Sequence, residues 1–208
     1  MFPNLFSELE IGNIRIKNRA FSAGHATRLV DPDGSVGERL LAYHKARAEA
    51  DIGMIITEVN VVHETYEPPN RLSVTSDNCI SGLKRLGDIG RKYDCKIIGQ
   101  LFHPGRVASV SLDGSIMTTY APSEVPDEYY KNIPLPPSNE KIWEIIESYI
   151  EGGRRMAEAN MDGIEIVSSM GYLPSQFLNP RLNFRDDEFG GSAEGRLKFL
   201  REICVGIR

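Results

Sequence analysis

The sequence predicts an α/β protein: the first four βα units of a (βα)8 TIM barrel, preceded by a short N-terminal β-hairpin. Three observations predict it. Apolar runs at 19–24, 52–58, 96–102 and from Met161 onward alternate strictly with helical patterns. Each run is close to continuously apolar, as a strand is when helices cover both faces of a parallel sheet. Each then stops at polar residues and opens into a loop before its helix, which is where a barrel keeps its chemistry. A closed barrel takes roughly 250 residues and eight strands, so these 208 residues carry half of one. Alternation alone does not separate this from an open, doubly wound four-stranded sheet. Neither a phosphate-type glycine loop nor G-x-G-x-x-G follows any strand, which argues against a dinucleotide-binding sheet.

The elements follow in order. Leu9 to Lys17 alternates around Gly12-Asn13, a two-residue hairpin signal, and in a barrel this ribbon would plug the bottom. Arg19 to Gly24 is the first short strand, leading into a polar loop from His25 to Gly34. Ser35 and Glu38 have capping-box spacing for a helix over Val36 to Ala50. Ile52 to Glu58 is the second strand, ending in Thr57, Glu58 and Asn60. Ile80, Leu83, Leu86 and Ile89 give the next helix, to Tyr93, one buried face. Lys96 to Phe102 is the third strand, tipped by Gln100, His103 and Arg106. The irregular stretch 104–137 is too long for a simple connection and reads as a lid or binding loop. Ser138 caps a helix to about Ala159, apolar at Ile142, Ile145, Ile146 and Tyr149; Gly152-Gly153 marks a weak point or a close packing contact. The fourth strand begins at Met161, its tip and loop run to Ser192, and Ser192 caps a last helix, Ala193 to Ile207.

Composition excludes several functions. At 41% hydrophobic and 25% charged, the chain is an ordinary globular one. A net charge of −5 with no basic stripe disfavours nucleic acid and anionic membrane as partners. No run approaches a membrane span, and Met1-Phe2-Pro3-Asn4 lacks a secretory signal. Cys79, Cys95 and Cys204 are odd in number and far apart, which suits a reducing cytoplasm and packing roles, with no metal site.

Five separated pieces then resemble one family. They are Leu5-Phe6 with Ile11-Gly12 and Lys17-Asn18-Arg19; Ile55-Ile56-Thr57-Glu58; Gly99-Gln100-Leu101-Phe102-His103-Pro104-Gly105-Arg106; Ala121-Pro122-Ser123; and Asp162 to Arg196. Together, in this order, they resemble the Old Yellow Enzyme group of NADH:flavin oxidoreductases, in particular its 2,4-dienoyl-CoA reductase and trimethylamine dehydrogenase branch. The resemblance implies an FMN-binding TIM barrel with flavin at the strand C-termini and NAD(P)H as electron donor. It also admits 4Fe-4S and FAD modules in a longer parent chain.

The resemblance assigns roles. The amide of Gln100 donates and accepts at once, matching the alternating edge of the flavin pyrimidine. Ala23, Gly24, His25 and Ala26 would line flavin N5 and O4, and Glu58 joins this cofactor-binding set. Where many members carry Thr or Cys, this chain has Ala26; either Thr27 supplies the hydroxyl through a shifted loop or it is missing. Val167 and Met170 stand at the substrate positions of the family's histidine pair and cannot donate a hydrogen bond. Tyr172 matches the family tyrosine and becomes the catalytic proton donor as well as a substrate contact. Arg185, Asp187, Gly190, Gly191, Glu194 and Arg196 read as loop bracing, and Glu165 as a buried structural carboxylate needing a partner such as arginine. His103 reads as a satisfied core histidine, and Tyr129 and Tyr130 as loop tyrosines able to line a substrate pocket.

The leading expectation is therefore an FMN-dependent reductase of an activated C=C bond in a small-molecule substrate. Alternatives are a flavin-dependent amine N-demethylase, which Asn179-Pro180 and His25 suggest, and an inactive half-barrel that retains little FMN. Homo-oligomer formation is left open.

Overall fold

The computed structural model describes residues 2–66, 71–108 and 118–208. The centre of the 104–137 lid expectation, 109–117, lies outside the described residues. The chain divides into two compact units, taken in turn.

The first unit comprises residues 1–60, 69–101 and 152–166. It opens with a hairpin, β1 (Leu9–Ile11) against β2 (Ile14–Ile16), antiparallel with Leu9 opposite Ile16. Gly12 takes φ 59°, the left-handed turn conformation that Gly-Asn supplies. The main sheet contains β3 (Phe21–Ser22), β4 (Met54–Val61), β6 (Lys96–Phe102) and β7 (Gly163–Ile166), with a short β5 (Leu72–Ser73) beside β4. Its order is β3-β4-β6-β7, and the β3/β4 and β6/β7 pairs are parallel. Strands laid down in strict succession have no switch point, which a doubly wound sheet requires. The arrangement is therefore that of a partial barrel. Crossovers are made by α1 (Glu38–Glu49), α2 (Cys79–Lys92) and α3 (Asn139–Glu158).

The hairpin is fastened at the strand N-termini, as a bottom plug should be. Lys17 donates to the Tyr93 carbonyl at 2.9 Å and pairs with Asp51 at 2.6 Å. Asn18 bridges the Asp51 carbonyl and the Gly53 amide, just before β4. On α2, Leu83 and Leu86 are buried as the spacing of three demanded. The helix α3 continues unbroken through Gly152-Gly153, and both are buried, so the pair is a packing contact.

The second unit comprises residues 61–68, 102–151 and 167–208. Its helices are the first part of α3, α4 (Leu173–Leu178) and α5 (Ala193–Ile207). An aromatic core joins them: Phe177 stacks on Phe199 at 4.4 Å between centroids, with Phe189 and Tyr149 edge-on. Ile142, Ile145, Ile146 and Tyr149 are all 1% exposed or less. Ser192 caps α5 by accepting from the Gly195 amide at 3.0 Å.

Three expectations need correction, and one element is new. The Ser35/Glu38 capping box does not form, because Gly37 is the N-cap of α1 and the Ser35 amide donates to Asp33 instead. The Asp31 carboxylate occupies the space a side chain at Gly37 would need. Residues 173–178, expected as loop, form α4, in which Pro174 is tolerated because it lies in the first turn. The short β5 was not anticipated. Cys204 is exposed and so is no packing residue. Among the described residues, no helix is long and apolar enough to cross a membrane.

Replacing Phe199 by Ala removes one partner of the stacked pair and leaves a cavity. Urea unfolding should show a loss of about 3–5 kcal/mol, and a loss under about 1 kcal/mol would mean that this core can collapse around the gap.

Candidate functional site

The C-terminal tips of the first unit's strands carry a polar layer. Glu58, on β4, is 1% exposed and its Oε2 accepts from both the amide (3.2 Å) and the hydroxyl of Thr27. A buried carboxylate needs donors, and Thr27 is the residue that supplies them. The Thr27 hydroxyl also accepts from the Leu29 amide at 3.1 Å. Its donor is thus committed, and Ala26 beside it offers only a methyl. The Thr27 hydroxyl is thus engaged on both its donor and acceptor sides within the protein.

That loop lays Gly24 against β6. A Cβ at Gly24 would stand 2.7 Å from the Thr57 carbonyl oxygen and 2.8 and 3.0 Å from the two Gln100 amide heteroatoms, so only glycine permits the approach. Asn60 is completely buried and donates to the Gln100 carbonyl at 3.2 Å and the Glu58 carbonyl at 2.9 Å. Gln100 Nε2 donates to Glu165, directly opposite on β7. Glu165 is half-buried and takes Gln100, not an arginine, as its partner. His25 is exposed; its Nδ1 meets the Ala23 carbonyl at 3.1 Å and its Nε2 accepts from the Tyr43 hydroxyl. Ala23 and Ala26 are exposed.

These residues fit a flavin. Gln100 Oε1 has no partner among the described residues, and the second amide N–H is also uncommitted, so the side chain can read an edge that alternates N–H and C=O. The cradle beside it exists because Gly24 lacks a Cβ. Of the residues expected to bind the cofactor, Gly24 and Gln100 lie against each other, whereas His25 turns to Tyr43 on α1. Glu58 reaches Thr27, and its remaining oxygen, Oε1, is buried without a partner. It has no surface to offer a cofactor and acts by holding the loop.

The second unit carries Tyr172, N-cap of α4, at backbone φ −77° and ψ 173°. Its ring stands edge-on to Phe102 at 4.7 Å, and its hydroxyl has no partner among the described residues. Gln176, wholly buried, holds the same segment: Nε2 donates to the Pro104 and Gly171 carbonyls at 3.0 and 2.6 Å, and Oε1 accepts from the Arg106 amide at 3.2 Å. Sequence reading missed Gln176 because it took the segment for loop, where no side chain has a defined inward direction. Val167 is buried at 6% exposure, whereas Met170, at φ 54°, is 80% exposed. The two substrate-position residues thus face different environments. Arg106 holds the carbonyls of Val125 and Pro126, and Arg185 chelates Asp187 while donating to the Pro137 carbonyl, as bracing residues do. Tyr129 is 84% exposed.

His103 ends a buried chain. Its Nδ1 accepts from the Gly105 amide at 3.0 Å and its Nε2 meets the Thr65 hydroxyl at 3.3 Å. Thr65 meets His63 Nδ1 at 2.8 Å, and His63 Nε2 meets Glu144 at 3.0 Å. The backbone amides of Gly105 and Thr65 point at the two Nδ1 atoms. Burial, and secondarily His63, pushes His103 down to about 3, and burial pushes His44, in the first unit, down to about 4.

A histidine whose folded pKa is depressed contributes stability that is complete above its unfolded value near 6.5 and is lost as pH falls, because only the unfolded chain takes up the proton. Unfolding free energy should drop by about 2 kcal/mol per such histidine between pH 6.5 and 5. A His103→Asn variant should show a shallower acid slope than wild type, and equal slopes would contradict the assignment.

Known proteins resemble the chain over its whole length. The chain is 38% identical to an NADH oxidase of Thermoanaerobacter brockii, over 100% of this chain and 32% of that protein. It is 31% identical to an N,N-dimethylglycine/sarcosine dehydrogenase of Chromohalobacter salexigens, over 100% of this chain and 30% of that one. Among solved structures, 2-naphthoyl-CoA reductase in complex with 2-naphthoyl-CoA superposes with TM-score 0.90 at 28% identity, over 100% of this chain and 34% of that one. The chain thus spans about a third of the length of these relatives. Residues 4–208 match the profile of the NADH:flavin oxidoreductase / NADH oxidase family, and the chain belongs to that family.

Proposed function

We propose that this chain provides the flavin cradle and the proton donor of an FMN-dependent oxidoreductase that saturates an activated C=C bond at the expense of NAD(P)H. The observation that carries the reading is Tyr172, a phenol held rigidly at the start of α4 with its hydroxyl unpartnered. Bound FMN supplies the two-electron carrier between the nicotinamide and the substrate. The protein's own residues do the rest. Gln100 and the Gly24 loop bind and orient the pyrimidine edge. Saturating the double bond consumes a hydride and a proton, and the Tyr172 Oη–H supplies the proton, with Phe102 fixing the ring plane. Ala26 and the committed Thr27 leave the cofactor without a hydroxyl donor from this loop. Met170 presents an apolar, exposed side chain where a carbonyl anchor would need a donor, which favours a substrate held through remote binding groups, such as an enoyl or dienoyl thioester. Iron–sulfur and FAD modules gain no support from the residues present.

A second reading, oxidation of an N-methylated amine, is supported by the likeness to the Chromohalobacter salexigens dehydrogenase. Turnover of amines without turnover of alkenes would select it.

The visible spectrum of the purified protein comes first, because a chain without yellow chromophore after FMN reconstitution is not acting as a flavoenzyme. In flavin-loaded protein, Tyr172→Phe should slow flavin reoxidation by an enoyl or dienoyl substrate by about 10²–10⁴-fold with the flavin spectrum unchanged. Reoxidation at the wild-type rate would remove Tyr172 from the chemistry.

A further inference from the structure

Gln100 and Glu165 face each other across β6 and β7, one register position deep in a parallel pair, and the amide nitrogen of the first donates to the carboxylate of the second. We infer that Glu165 is a positioning residue for the cofactor: it fixes the orientation of the Gln100 amide and places a negative charge beside the ring that this amide binds. The inference rests on the flavin reading above and adds to it a residue that the sequence marked only as structural.

A carboxylate is an acceptor with nothing to donate. Of the two orientations open to the Gln100 amide, only the one with Nε2 toward Glu165 makes a bond, while the flipped amide sets two acceptor oxygens against each other. The choice cannot be relaxed by moving Gln100 away, because the amide is confined on its other side by the Gly24 backbone and the Thr57 carbonyl, with no room even for a methyl group at Gly24. The Gln100 main chain is itself held, its carbonyl by Asn60 and its amide by the Thr57 hydroxyl at 3.4 Å. The amide therefore presents Oε1 and one N–H in a fixed sense, and the partner it selects has an N–H facing Oε1 and a carbonyl facing the N–H. That is one edge of an imide.

Glu165 is half-buried, and the partner it has on β6 is the neutral amide of Gln100. Its charge is incompletely screened there. Reduction places negative charge on a flavin, so a neighbouring carboxylate disfavours the reduced state. Glu165 thus tunes the site toward a stronger reductant.

Two substitutions separate orientation from charge. Glu165→Gln removes the charge and can pair with either amide orientation; Glu165→Asp keeps the charge and withdraws it from reach. In the protein without flavin, NMR of the Gln100 side-chain amide should show one slowly exchanging proton in wild type, faster-exchanging in Glu165→Gln, where both amide orientations pair, and unprotected in Glu165→Asp. In flavin-loaded protein, Glu165→Gln should shift the reduced-to-oxidised ratio at fixed potential by tenfold or more toward reduced, about 30 mV for a two-electron couple, and Glu165→Asp should shift it less. Gln100 amide protons that behave identically in wild type and Glu165→Gln would overturn the inference. So would a midpoint potential that stays fixed while melting temperature falls, which is the mark of a purely structural carboxylate. Failure of the wild-type protein to take up FMN would sink the flavin reading instead, and the amide exchange would still decide the orientation.

Discussion

The structure around the strand tips depends on one buried carboxyl group. Glu58 lies at 1% exposure on β4 and has to be answered by donors, because an unpaired carboxylate at that depth costs several kcal/mol. Thr27 answers it with an amide and a hydroxyl. That bond sets the path of the loop leaving β3, which in turn carries Gly24 against Thr57 and Gln100. The binding amide, its neighbour Glu165 and the buried Asn60 then form one polar layer in which each member limits where the next can be.

The same logic of satisfied polar groups shapes the second unit by different means. Gln176 uses three hydrogen bonds to lock the backbone that presents Tyr172, and the chain from His103 to Glu144 engages every imidazole nitrogen. Rigidity at Tyr172 is thus built from amides and backbone carbonyls, leaving its own hydroxyl unspent. A proton donor needs that freedom.

Much of this was legible in the sequence. Strand alternation, the Gly12-Asn13 hairpin and the Ser138 and Ser192 caps depend on local periodicity and turn chemistry, and they formed where expected. Gln100 was legible as a strand-tip amide. What could not be read were choices made by contacts distant in sequence. Thr27 had two possible employments until Glu58, thirty-one positions away, claimed it. Glu165 was expected to need an arginine, and Gln100 took that place. Pro174 and the glycine before Tyr172 masked α4, and with it the inward direction of Gln176. The Ser35 box failed because Asp31 and Asp33 reshaped the approach to α1.

The central claim is that the missing side chain at Gly24 makes the cofactor cradle, by letting the backbone and the Gln100 amide approach each other. The most direct measurement is FMN affinity of a Gly24→Ala protein, followed by quenching of flavin fluorescence beside the wild type. A methyl group there must displace Gln100 or the Thr57 carbonyl, so Kd should rise at least tenfold, about 1.4 kcal/mol, with circular dichroism unchanged. An unaltered Kd in a folded Gly24→Ala protein would contradict the account.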